Sequence, residues 1–324
     1  MGIKGLYAVL AKHAPNSLKT VRFDDLTGYR CAVDISIFLY KHVRTAGERG
    51  WLNIFVQFLC VLKSKSIKAI CIFDGPDAPP EKYGEQIKRR ETVAKAVQRM
   101  GEIESLIETL KSKYIPTGKS AIDLRDVVRE YLRLRPEQDA INYKDPKLVC
   151  DMLMLKVQKY RKQTMPITSV YADLAKEIIE CLGLAWYQAT GEAEALCSYM
   201  AINGQVDGVL TEDTDVLAYG TPILFSKIDM RAGTVMMIEM KSMLREMEMD
   251  MLQFRDMCIL LGCDYNRRAK LRPTGKAKGP IAIGPKKAID LIRAHKTIDR
   301  MVPLMADPTV LNTKRCRELF SPPR

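Results

Sequence analysis

The sequence predicts an α/β fold around a mostly parallel sheet, and three stretches carry that prediction. Residues 31–40 (CAVDISIFLY), 69–75 (AICIFDG) and 208–215 (GVLTEDTD) each run from a short apolar strand into an acid, at Asp34, Asp74 and Asp213. Strands that alternate with helical patterns build α/β sheets. Such sheets bind their ligands outside the carboxyl ends of the strands. Acids delivered at three strand ends can lie side by side, which is the first reason to expect a site.

Taken in order, residues 52–63 supply a helix long enough to cross between the first two strands. From Pro79 to about Gln163 the pattern turns helical and basic. Lys82, Lys88, Arg89, Arg90, Lys95 and Arg99 come first, followed by amphipathic stretches at 104–114, 122–135 and 145–162. Breaks at 116–118 and 135–136 separate them. A charge run on a helix is usually a solvated face; directly after Asp74, an insertion that faces phosphate is the stronger reading.

The densest chemistry lies between Ala189 and Gly220. Glu192/Glu194 and Asp213/Asp215 form two pairs, each spaced i, i+2, around a short helix pattern (Ala195, Leu196, Tyr199, Met200) and the strand Gly208-Val209-Leu210. Carboxylates brought together repel one another unless protons or cations neutralise them. Hard oxygen donors suit Mg²⁺ or Mn²⁺. A lone D-x-D is usually a solvated turn; two pairs in one βα unit weaken that reading without settling it. Strands are expected at 223–226 and 235–239 around a turn at 231–233, and the methionines from Met236 to Met251 are expected to fill core.

A helix over 251–261 ends at Gly262-Cys263-Asp264-Tyr265. Residues 266–280 carry six Lys/Arg and no acid, and read as a mobile loop. Residues 281–288 open a further helix through Ile292. Its Gly284-Pro285 turn offers free N–H groups, and Lys286 and Lys287 add charge, a combination that can hold a phosphate.

Composition limits the class. The 324 residues are enough for a sizeable core, and 47% hydrophobic with 28% charged content is ordinary for a globular protein. The excess of 51 Lys+Arg over 39 Asp+Glu, a formal +12, favours a polyanionic partner, nucleic acid before membrane. Nine cysteines without a C-x-x-C pair, and three histidines, argue against structural zinc and against a disulfide framework. Reduced, mostly buried thiols in an intracellular compartment are expected. No stretch has the length of a membrane span, no secretory signal opens the chain, and Leu6 stands where an N-myristoylation motif needs Ser or Thr. His13, His42 and His295 have no partner in any motif, and Cys263 reads as a packed thiol.

The motifs MGIKGLY, VDISIFLY, IFDGPDAPPEK, ATGEAEAL, TEDTDVLAYG, LLGCDY and IGPKKAIDLI, in this order from Met1 to Phe320, resemble the flap endonuclease family, the XPG-like 5′ nucleases. The resemblance implies a PIN-like nuclease domain with a helical arch or cap and a helix-two-turn-helix DNA-binding element. It divides the single domain into 1–78 and 166–250 (nuclease), 79–165 (arch) and 251–324 (DNA-binding). It also implies that Asp34, Asp74, Glu192, Glu194, Asp213, Asp215 and Asp264 hold two divalent ions, Mg²⁺ or Mn²⁺. Lys82 and Arg89 match the catalytic basic pair, Tyr40 an aromatic that stacks on a nucleotide, and Gly2 a terminus near the site. Gly284, Lys286 and Lys287 match the duplex-gripping element, where carbonyls around Gly279, Pro280 and Ile283 would bind K⁺. Arg267, Arg268 and Lys270 are added as phosphate contacts from their charge alone.

Three departures stand out. Ala282 takes a position that is usually Gly, the basic segment 266–280 is long, and Asp74 and Glu192 are 118 residues apart, which implies an enlarged arch. No sliding-clamp peptide follows Phe320, which would suit a viral member. The expected protein is a monomeric, intracellular enzyme at a site of DNA replication, nuclear or viral. It would cleave 5′ flaps and act as a 5′-3′ exonuclease in replication, repair or recombination. An exonuclease, a Holliday-junction-type relative and an inactive junction-binding scaffold remain as alternatives.

Overall fold

The computed structural model describes residues 2–112, 130–131, 146–273 and 279–321. Its strands are β1 (Leu18–Arg22), β2 (Arg30–Asp34), β3 (Lys68–Phe73), β4 (Ala185–Gln188), β5 (Gly208–Leu210), β6 (Ile223–Asp229), β7 (Thr234–Glu239), β8 (Lys270–Leu271) and β9 (Ile281–Ala282). The first seven form one sheet in the order β1-β7-β6-β5-β2-β3-β4. From β6 across to β4 every neighbouring pair is parallel; β7 and β1 close the other edge antiparallel. β2, β3 and β5 are nearly continuous apolar runs because helices cover both faces. Cys31, Ala32, Val33, Cys71, Ile72, Val209 and Leu210 are all buried.

The chain divides into two compact units. The first comprises 1–41, 52–85 and 168–324 and contains the sheet; the second comprises 42–51 and 86–167. In the second, helix Tyr83–Lys111 buries apolar residues only near its end, where Ile103, Ile107 and Leu110 meet Val149, Leu153 and Val157 of helix Pro146–Thr164. Its first half buries none of its residues, and Tyr83, Ile87 and Val97 stand exposed among its charges. The expected helix at 122–135, apart from residues 130–131, and the breaks at 116–118 and 135–136 lie outside the described residues.

In the first unit, helix Met251–Leu261 starts with a capping box. Asp250 accepts from the Gln253 N–H at 2.8 Å, and Gln253 returns the contact to the Asp250 N–H. It then buries Phe254 and every residue from Asp256 to Leu261, at roughly 1.5–3 kcal/mol per large apolar side chain. Met240, Met243, Met247 and Met249 fill the core as expected.

Two expectations need correction. The helix around 195–200 runs from Ala193 to Ile202, but its most buried face is Ala193, Glu194, Cys197, Ser198 and Ala201. Ala195, Leu196 and Met200 only edge the core; the deepest face carries small and acidic residues, which an apolar-periodicity reading passes over. Within the expected loop 266–280, Lys270–Leu271 forms a strand paired with Ile281–Ala282, and residues 274–278 lie outside the described residues. Two-residue strands are too short to show alternation. β1 and β4 are further strands without an expectation: β1 carries Lys19, Thr20 and Arg22 among its five residues, and β4 is only four residues long and mostly exposed.

Candidate active site

Four adjacent parallel strands, β5, β2, β3 and β4, deliver acids at their carboxyl ends. β2 ends in Asp34 and β3 leads directly to Asp74. β4 leads to Glu192 at the N-cap of helix Ala193–Ile202, with Glu194 in its first turn. β5 leads to Thr211, Asp213 and Asp215. Hydrogen bonds knit these loops together. Thr211 Oγ1 donates to Asp34 Oδ2 at 3.0 Å and accepts from the Asp213 N–H at 3.0 Å. Asp213 Oδ1 accepts from the Asp215 N–H at 3.0 Å, and Asp74 Oδ1 from the Ala193 N–H at 2.9 Å. The Asp74 N–H donates to Ser36 Oγ at 2.9 Å.

Two glycines are required by close approach. A Cβ at Gly75 would lie 2.0 Å from the Ala189 carbonyl oxygen, so only glycine lets the loops after β3 and β4 meet. Gly2, at φ +81°, lies against the acids: a Cβ there would fall 2.1 Å from Asp213 Oδ1 and 2.6 Å from Asp215 Oδ1. The second residue of the chain is thus part of the site wall.

Burial and mutual repulsion raise the acids' proton affinity. Asp34 is pushed up to about 7, first by burial and then by Asp74 and Asp213, against the hydrogen bond from Thr211. Burial, then neighbouring carboxylates, raises Glu194 and Asp215 well above the ordinary range. Asp213 is raised by burial as well. Lys82, in the 3₁₀ turn Pro80–Lys82, answers this charge. Its ammonium contacts Glu192 directly, lies 3.3 Å from Glu194 and is 4.0 Å from Asp264. Burial would lower the Lys82 pKa; the attraction of Glu194, Asp264 and Asp215 outweighs it, and the net shift is upward.

The donor set fits hard divalent cations. It consists of carboxylates, and Asp215 Oδ1 is buried with no hydrogen-bond partner. Among the described residues no three side chains are already closed to ligand distances. The Lys82 ammonium stands between Glu192, Glu194 and Asp264, where cationic charge is needed.

Tyr265 is a site residue that the sequence reading passed over, although it stands next to Asp264. Its hydroxyl, buried, donates to Glu192 Oε2 at 2.5 Å and lies 2.9 Å from the Tyr219 hydroxyl. Burial first, then nearby charges, pushes both phenols up, so they remain donors. Partners that orient ligand carboxylates typically matter by roughly tenfold to a hundredfold in metal affinity. Tyr265→Phe is expected to weaken divalent-ion binding within that range in a calorimetric titration without DNA; unchanged affinity would free Glu192 from this contact.

Other expected residues are placed as follows. Tyr40 is 41% exposed on helix Ile35–Ala46, not packed into the core. Arg267, Arg268 and Lys270 are exposed, but the Arg268 guanidinium also bonds the Leu261 carbonyl at 3.2 Å. Gly284 is the N-cap of helix Pro285–His295, with Lys286 and Lys287 exposed in its first turn. Gly279, Pro280 and Ile283 flank β9, and Ile283 is buried. Arg89 is exposed on the second unit. Cys263 is a buried thiol, pushed up by the adjacent Cys316 side chain and by burial.

Known proteins are similar to this chain in sequence and in fold. The family model described as the XPG N-terminal domain matches residues 1–96, and the XPG I-region matches 183–264. The chain is 28% identical over 345 residues to a probable RAD2-like endonuclease of Invertebrate iridescent virus 3, covering 99% of this chain and 85% of the relative. It is also 28% identical over 349 residues to flap endonuclease 1 of Caenorhabditis elegans, covering 100% and 75%. In fold it is similar to the catalytic core of Rad2 solved with DNA substrate, with TM-score 0.59, 19% identity and coverage of 93% and 71%. Flap endonuclease-1 from Methanococcus jannaschii gives a TM-score of 0.54, 21% identity and coverage of 95% and 82%. With its two XPG segments, relatives matched over nearly the whole of this chain and a PIN-like nuclease fold, this chain belongs to the XPG-like flap endonuclease family.

Proposed function

We propose that this chain is a metal-dependent, structure-specific DNA nuclease that cuts 5′ flaps and trims 5′ ends. The observation that supports it most is the convergence of acids from adjacent strand ends around one half-buried lysine, Lys82. Asp34, Asp74, Glu192, Glu194, Asp213, Asp215 and Asp264 would hold two Mg²⁺ or Mn²⁺ ions. Bound there, such ions activate water and neutralise charge on the departing oxygen. The remaining work falls to the chain. The Asp74 carboxylate accepts from the Ala193 N–H and that of Asp34 from the Thr211 hydroxyl, so the site is preorganised before DNA arrives. Lys82 would pass from its carboxylate contacts to the scissile phosphate, and Arg89 would grip the same phosphate through its planar fork.

Tyr40 would stack on a nucleotide beside the cut. The exposed Lys286 and Lys287 at a helix N-terminus would bind duplex phosphates, with K⁺ held by carbonyls near Gly279, Pro280 and Ile283. These contacts position DNA without reading its sequence. Branched DNA is therefore the partner, met by a monomer at a site of replication.

The deciding experiment is a cleavage panel of end-labelled flap, nicked, gapped, overhang and four-way DNA with Mg²⁺. Fastest cutting of the 5′ flap supports this reading. Preference for the four-way junction would place the chain with the junction-resolving relatives, and binding without cutting would make it a scaffold.

A further inference from the structure

The turn that carries Lys82 buries none of its own residues, so apolar packing does not hold it. A side chain from the far end of the sequence does. Arg315 Nε donates to Glu81 Oε1 at 2.8 Å, and Glu81 is the residue immediately before Lys82. The Arg315 guanidinium keeps the Glu81 carboxyl below its usual range and is itself steadied by Glu318 at 3.3 Å. The other Glu81 oxygen is buried without a hydrogen-bond partner. Losing Arg315 would leave the Glu81 carboxylate without its ion-pair partner, directly beside Lys82.

Helix Thr313–Leu319, which presents Arg315, is firmly seated. Arg317 grips the fully buried Asp256 with two bonds, of 2.8 and 2.6 Å, and the Ile298 N–H completes that carboxylate at 2.9 Å. Cys316 and Phe320 are wholly buried. The Phe320 ring packs on Tyr219 and Tyr265, each with its centroid 5.3 Å away. The helix thus has a rigid base against helix Met251–Leu261 and one charged arm reaching the Lys82 turn.

From this arrangement we infer that Arg315 is a positioning residue for cleavage, acting through Glu81 to hold Lys82 at the site; the inference rests on the nuclease reading. Exposed ion pairs contribute only about 0–1 kcal/mol to stability. The contact therefore matters for where Lys82 stands, and misplacing a catalytic group by about 1 Å can cost up to roughly a hundredfold in rate.

The test measures single-turnover cleavage of a 5′-flap substrate, substrate Kd and melting temperature for wild type, Arg315→Ala, Glu81→Arg, Arg315→Glu and the charge swap Glu81→Arg/Arg315→Glu. Arg315→Ala is expected to lower the rate about tenfold, with Kd within about twofold and melting unchanged. Each reversed single should be at least as slow, and the swap should recover most of the loss. In a Lys82→Ala background, removing Arg315 should cost nothing further, because both act at one point. Rates within about twofold of wild type for every single variant would overturn the inference, as would an undiminished loss in the Lys82→Ala background. Failure of wild type to cut any DNA would remove the nuclease reading itself, and this inference with it.

Discussion

Asp213→Ala and Asp215→Ala are each expected to abolish cleavage while leaving DNA binding largely intact. Both carboxylates are buried, at 8% and 1% exposed, and Asp215 Oδ1 has no hydrogen-bond partner, which leaves it available to a cation. Affinity for DNA comes mainly from Lys and Arg contacts to phosphate, and these substitutions leave those residues in place. A second readout separates loss of metal from loss of fold. Burial and like-charge neighbours raise the proton affinity of both acids, so their ionised forms strain the metal-free protein. Removing one should leave the metal-free melting temperature unchanged or higher, and should shrink the rise produced by added divalent ion. Near wild-type turnover in both variants would sink the assignment.

Arg89→Ala and Lys82→Ala are expected to cost about tenfold to a thousandfold in single-turnover rate, the range for losing a preorganised electrostatic contact. Lys82 ends the 3₁₀ turn Pro80–Lys82, and Arg89 lies on helix Tyr83–Lys111. Lys82 already stands among the acids; Arg89 is exposed at the start of the second unit. Contacts made mainly in the transition state lower kcat and leave KM little altered. The double variant should lose less than the product of the singles, because both would serve one phosphate. Solvated residues would leave the rate unchanged, so rates within about twofold across the singles and the double would remove the pair from the site.

Much of the site was legible because its acids sit at the ends of apolar strands or in tight motifs. Asp34, Asp74 and Asp213 each follow a run of buried residues, a local signal that survives without knowledge of the fold. The paired glutamates were legible by spacing, and the Gly-Pro-Lys-Lys turn by its helix-start chemistry. β1 and β4 were not legible, since β1 mixes Lys19, Thr20 and Arg22 with two apolar residues and β4 is only four residues long. The true inner face of helix Ala193–Ile202 was hidden as well, because it carries Ala, Glu, Cys and Ser instead of large apolar residues.

The sequence by itself determined the family, the α/β class, the set of acids and the basic character that suits DNA. These depend on residue type and local order, which a single chain displays openly. Only the tertiary structure decided which groups hold the acids in place. Thr211 bridges Asp34 and Asp213, Tyr265 reaches Glu192 across 73 residues, and Arg315 reaches Glu81 across 234. Contacts of that length leave no periodicity or motif in the sequence, because they arise where the sheet and the last helix bring distant loops together.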